Sequence, residues 1–224
     1  MQLKVDVMKF ANLQKRTIAH IISLIYVVYI LIRKIFVIKN LSYFLWFLPN
    51  YISLMLQGYF LLSSLRQEPK EKNESLYIFI IAVVSANFPG LVAIVCNYFA
   101  ISDYNISLAY IAYIINFFSM IFYVYAIMSL GRSLTVLPEY NVVKTQGAYK
   151  YSRHPLYLVY IIQYITQIFI FQTWSIILCS IIQISLILIR AKHEEKILSE
   201  NDSIYKKYIQ ETKWVNIKLG GRKK

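Results

Sequence analysis

Charge is in short supply in this chain. Only 16% of its 224 residues are Asp, Glu, Lys or Arg, against about a quarter in ordinary soluble domains. Hydrophobic residues make up 58%, and mean hydropathy is +0.51. A soluble fold of this length could not hide that much apolar surface, so a freely soluble domain is excluded. Acidic residues are scarcer still: 11 Asp and Glu against 24 Lys and Arg, a net charge of +13. That excess invites a nucleic-acid reading, but the basic residues lie between apolar runs and in the C-terminal tail rather than on one soluble face. Basic flanks beside hydrophobic spans are the pattern of the positive-inside rule, and the tail can sit near anionic headgroups. Nucleic acid is therefore not expected as a partner. The two cysteines, Cys96 and Cys179, fall inside apolar runs without Cys-x-x-Cys spacing, which argues against a disulfide framework or a zinc site. Six Gly and five Pro exclude collagen-like and low-complexity classes. There is no Gly-x-Gly-x-x-Gly and no P-loop, and the three histidines have no metal-ligand spacing. No metal is expected.

What the chain has in abundance is apolar runs. A helical span needs about 20 consecutive, largely apolar residues. Candidates are 18–32, with a possible extension to 38 across Arg33 and Lys34; 41–65, with Pro49 and Asn50; 75–100, with Asn87, Pro89 and Gly90; and 107–130, rich in Tyr and Phe. The stretch 156–189 is too long for one ordinary span and holds Gln172 and Thr173 at its midpoint. It reads as two helices in a tight hairpin, with one steeply tilted helix as the alternative. The expected fold is all-α: a polytopic membrane bundle of five or six transmembrane helices, with a C-terminal helical hairpin and a cytoplasmic helical tail. Residues 1–130 form the N-terminal helices and 131–224 the cofactor-binding, catalytic region. Loop charges set the orientation. Loop 101–106 lacks Lys and Arg and is expected outside. The loops bearing Arg66, Lys70 and Lys72, and Arg132, Lys144, Lys150 and Arg153, are expected in the cytoplasm, as is the tail with its ten basic residues. Arg33, Lys34 and Lys39 would then lie outside, in conflict with the rule.

Polar information concentrates in two segments. One holds Leu130-Gly131-Arg132-Ser133 and then Val143 to Tyr157, VKTQGAYKYSRHPLY. The other is Arg190 to Leu198, RAKHEEKIL, followed by Tyr205-Lys206-Lys207-Tyr208. A hairpin between them would bring both to one membrane edge. Pro155 suits the first turn of a helix, where its missing N–H is not needed.

This ordered set resembles the isoprenylcysteine carboxyl methyltransferase and phospholipid N-methyltransferase family over roughly the last hundred residues. Gly131, Gly147, Tyr149, Arg153, His154, Pro155, Tyr157, Glu194, Glu195, Tyr205 and Tyr208 fit the family pattern. Val159 stands where the family usually has Gly, and a Phe-Gly step and an Arg-x-x-Pro ending are replaced. The resemblance implies an integral membrane enzyme that uses S-adenosyl-L-methionine, with its site facing the cytoplasm from the inner (cytoplasmic) membrane. It implies cofactor binding by Gly147, Tyr149, His154, Tyr157, Glu194 and Glu195, and catalytic roles for Arg153 and His154, with Arg153 orienting an anionic acceptor. The acceptor would be a lipophilic small molecule or lipid, such as a prenylcysteine-type carboxylate or a lipid head group. Membrane lipids are the other partners; the sequence leaves the oligomeric state open.

Plainer readings stand beside these. Arg153 can be a topogenic charge and His154-Pro155 an ordinary helix start. Arg190 and Glu194, four apart, can form a surface pair worth a few tenths of a kcal/mol. The tyrosines can be interfacial aromatics, and Asn87 and Asn116 helix-packing groups. A non-catalytic carrier or assembly protein is the rival function; it would place functional polar groups at mid-membrane depth along a pathway.

Overall fold

The computed structural model describes residues 17–32, 41–65, 71–72, 76–95, 105–137, 139–140 and 143–214. Arg33, Lys34, Lys39, Arg66, Lys70, Cys96 and the tail from 215 lie outside them, as do the side chains of Pro49, Asn50, Asn87 and Pro89. The described chain is helical: α1 (Thr17–Ile32), α2 (Leu41–Leu65), α3 (Leu76–Val95), α4 (Ile106–Leu130), α5 (Pro155–Phe171), α6 (Trp174–Asn201) and α7 (Ser203–Glu211). One two-residue antiparallel ladder interrupts this pattern. In it β1 (Glu71–Lys72) pairs with β2 (Glu139–Tyr140). It ties the loop before α3 to the loop after α4, so both lie at one end of the bundle.

The hairpin expected within 156–189 is present. α5 opens with Pro155 in its first turn and closes at Gln172, whose φ of 47° is left-handed. Thr173 then caps α6 by accepting from Ile176 N. Gln172 also pins the turn to α4. Its Oε1 accepts from Asn105 N and its Nε2 donates to Asn105 O, each at 2.8 Å. Asn105 in turn caps α4 through Leu108 N. The start of α4 and the hairpin turn therefore share one end, and both polar motifs share the other.

Packing follows side-chain size. α4 buries Ala109, Ala112, Ser119 and Ala126, and small residues let apolar helices approach closely. A core of Ala19, Leu61, Ala82, Tyr123, Ile127, Leu156 and Val159 joins α1 to α5. The opposite faces are apolar and bare: Ile111, Ile114, Phe118 and Met128 on α4, Leu178 and Ile181 on α6. Such area suits a hydrocarbon surround. Two helices among the described residues, Ile106–Ser133 and Trp174–Asn201, are long and apolar enough to cross a membrane. α1 and α5 are shorter apolar helices. At about 1.5 Å per residue α6 is about 42 Å long, longer than a hydrocarbon core of about 30 Å. Its charged end beyond Ile189 extends as a continuous helical arm.

The hairpin requires Lys150 and Lys213 to face the same compartment. With Cys96 and Cys179 replaced, cysteines at positions 150 and 213 should react with an impermeant maleimide from one side only. Labelling from opposite sides would contradict the hairpin.

Candidate active site

Two glycines shape the loop between α4 and α5. Gly131 ends α4 at φ 58°, and Gly147 has φ 63°. A Cβ on Gly147 would stand 2.5 Å from Ser129 Oγ, so only glycine lets the loop lie against α4. The same hydroxyl accepts from Ala148 N at 3.1 Å, which sets the direction of Tyr149. The C-terminal segment then clasps the loop. Tyr208 donates to Tyr149 O and, at 3.2 Å, to Ser152 O. Ser152 donates to Trp214 O and accepts from His154 N, and Arg153 N donates to Lys213 O.

Inside the clasp, His154 is buried. Its Nε2 lies 2.9 Å from Glu195 Oε1, and Arg153 Nη1 reaches the same oxygen at 3.3 Å. The imidazole stacks on Tyr157 with centroids 5.2 Å apart and leans on Trp214 at 4.7 Å. Tyr157 donates to Glu194 Oε2 at 2.6 Å. The guanidinium of Arg190 sits over the Tyr157 ring at 5.5 Å and donates to Thr135 O at 3.0 Å. Its buried Nε has no hydrogen-bond partner among the described residues.

Electrostatics follow from this crowding. Glu195 lies beyond the apolar run that ends at Ile189. Burial alone would raise its carboxyl, but the hydrogen bond and charge of His154, then the charge of Arg153, outweigh burial and hold it below the ordinary carboxylate range. Burial and the charge of Glu194 push the Tyr149 phenol well up. Tyr205 is raised by burial and then by Glu194 and Glu195. Burial lifts Tyr208 to about 12 despite Arg153. The phenols stay neutral donors at physiological pH.

These groups surround the mouth of a cavity of about 320 Å³, lined here by Ser133, Tyr149, His154, Tyr157, Arg190 and Glu194. The residues singled out in the sequence thus meet at one end of the bundle, but in two layers. Tyr149, His154, Tyr157 and Glu194 face the cavity; Gly147, Arg153 and Glu195 stand behind them. Arg190 and Trp214 belong to the same cluster and were not singled out. The four-residue spacing of Arg190 and Glu194 suggested only a surface pair, yet Arg190 turns to Thr135 O instead.

Residues 104–200 match the isoprenylcysteine carboxyl methyltransferase (ICMT) family. That stretch takes in α4, the loop, α5 and nearly all of α6, and so every charged group at the cavity mouth. α1, α2, α3, α7 and Trp214 lie outside it. No curated protein matches the chain. The ICMT match, with two helices apolar and long enough to cross a bilayer, supports a membrane methyltransferase.

The lowered carboxyl of Glu195 carries a pH signature. Because its folded value lies below the unfolded one, the contribution is complete above the ordinary carboxylate range and is lost as pH falls through the folded value. Glu195→Gln should cost about 1–3 kcal/mol at neutral pH by leaving Arg153 and His154 poorly paired. The gap in melting temperature should close toward acid pH. Differential scanning fluorimetry of both proteins across pH measures it; a gap independent of pH would show that the carboxylate charge is not what holds the clasp.

Proposed function

We propose that this chain is an integral membrane methyltransferase of five or six spans that moves a methyl group from S-adenosyl-L-methionine to a lipophilic acceptor, at a site facing the cytoplasm. One observation carries the reading: a carboxylate, Glu194, and a guanidinium with donor capacity to spare, Arg190, line one cavity together with the rings of Tyr149 and Tyr157, at the end of an apolar bundle.

The donor set suits the cofactor's chemistry. Glu194 can take an ammonium or ribose hydroxyls, and Arg190 a carboxylate, in charge-assisted bonds. The Tyr149 ring can attract a cationic centre through its quadrupole, whereas the Tyr157 ring already carries His154 and Arg190. When bound, S-adenosyl-L-methionine supplies the activated methyl on its sulfonium sulfur, and the protein supplies orientation and electrostatics. His154, wedged between Tyr157 and Trp214 and tethered by Glu195, forms a rigid wall at the cavity mouth. Arg153 acts through Glu195 as a positioning residue, whereas Arg190 is the cation that meets an anionic group inside the cavity. Tyr157 donates a hydrogen bond to Glu194 and fixes that carboxylate's direction. An acceptor with an apolar body enters from the bilayer and needs only its head held against the donor, which is where orientation lowers the barrier. The rival carrier reading predicts no affinity for the cofactor.

Calorimetric titration of the purified protein with S-adenosylhomocysteine tests the site. Glu194→Gln and Arg190→Met should each weaken binding at least tenfold. Unchanged affinity in both variants, or no binding by the wild type, would overturn the assignment.

The acceptor class is tested separately. Membranes containing the protein, incubated with methyl-labelled cofactor, should yield label that partitions into organic solvent. Label found only on soluble macromolecules would refute a lipophilic acceptor.

A further inference from the structure

The cavity does not stop at the charged cluster. One face of α5, running through Tyr157, Tyr160, Gln163, Tyr164 and Gln167, lines it along nearly the whole helix. Gln167 lies about 18 Å along α5 from Pro155 at about 1.5 Å per residue, well inside a hydrocarbon core about 30 Å thick. The facing walls come from α1, α2 and α3, with Tyr26, Ser53, Gln57 and Ser85 among their lining residues. None of these groups is ionisable near neutral pH, and most can both donate and accept hydrogen bonds. Some are occupied: Tyr123 and Tyr160 pair at 3.1 Å, Tyr164 accepts from Gln183, Ser85 donates to Ala82 O, and Gln163 Nε2 reaches, among the described residues, the weak acceptor Met120 Sδ at 3.3 Å. Gln57 and Gln167 have no hydrogen bond to another described residue. Half-buried amides that open on a cavity at membrane depth point to a ligand. They stand among apolar lining residues such as Ile30, Leu54, Leu61 and Ile187, so the cavity offers hydrogen-bonding groups within a hydrocarbon wall.

We infer that Gln57, Gln163 and Gln167 form an acceptor subsite: the methyl acceptor is an amphiphile bearing a neutral hydrogen-bonding group, a hydroxyl or carbonyl, along its body from the atom that is methylated. This inference rests on the proposed methyl-transfer reading for which end of the acceptor faces His154 and Glu194. Because Gln57 lies on α2, outside the stretch that matches the ICMT family, acceptor selectivity is divided between the matched segment and the N-terminal helices.

The experiment uses the full chain in lipid nanodiscs, with thermal unfolding as the readout, since a ligand that binds only the folded state raises the melting temperature. The probes are matched pairs: dodecanoic acid against 12-hydroxydodecanoic acid, and dodecylamine against 12-aminododecan-1-ol, compared at equal membrane concentration. In at least one pair the hydroxylated member should stabilise at a tenfold lower concentration, about 1.4 kcal/mol. Gln57→Leu with Gln167→Leu should erase that preference while leaving stabilisation by S-adenosylhomocysteine intact. Equal potency within both pairs, a preference for the unhydroxylated members, or a preference that survives the double substitution overturns the subsite. Absence of stabilisation by S-adenosylhomocysteine would strike the cofactor reading instead, and the hydroxyl preference, measured without it, still decides the subsite.

Discussion

Glu195 Oε1 is shared by His154 at 2.9 Å and Arg153 at 3.3 Å, and through it the loop before α5 is fastened to the arm that continues α6. The two partners come from adjacent residues, so one oxygen fixes both the imidazole plane and the backbone entering the helix. Lys213 O, Trp214 O and the Tyr208 hydroxyl then close over the same three residues. Charge-assisted bonds of this kind are about twice as strong as neutral ones, and here they are partly shielded from water. The other contacts of the mouth, such as Tyr157 on Glu194 and Arg190 over Tyr157, inherit their geometry from His154 being held in place.

The clasp would be useless without the hairpin. His154 and Glu195 are joined only because α5 and α6 descend and return, and the turn between them is a left-handed glutamine locked onto the start of α4. In a bilayer every backbone polar group must find an internal partner. The reciprocal Asn105–Gln172 bonds satisfy an irregular turn at the far end, just as the clasp satisfies the irregular loop at the near end. The bundle is therefore tied at both ends by polar contacts and filled between them by small and apolar side chains.

Much of this was legible in the residues. The break at Gln172-Thr173 showed because two polar residues interrupt a run too long for one span; the two polar segments showed because they flank that run, and the choice of Tyr149, His154, Tyr157 and Glu194 within them came from the family resemblance. Val159, the departure from the family's glycine, takes its place in the core between helices, fully buried. What stayed hidden depends on distant partners. Arg190 looked like half of a four-residue pair, and nothing local says that Thr135 O wins it. Trp214 packs on an imidazole sixty positions away, with no periodicity to announce it. Gly147 was visible as a motif residue, but the reason for it, the Ser129 hydroxyl on α4, was not.

The polar depth of the cavity is the instructive case. Ser53, Gln57, Ser85 and Gln167 sit singly in separate apolar runs, and each alone reads as packing glue. Their meaning arises only when α1, α2, α3 and α5 set them around one space. Sequence spacing records neighbours within a helix; it is silent on which faces of four helices converge. The charged mouth lies within the stretch that matches the ICMT family, and much of the deep wall lies outside it. A family resemblance carried on the mouth speaks to the shared chemistry of methyl donation. Part of the deeper lining comes from helices on which that resemblance is silent, and there Tyr26, Ser53 and Gln57 stand among Ile30, Leu54 and Leu61.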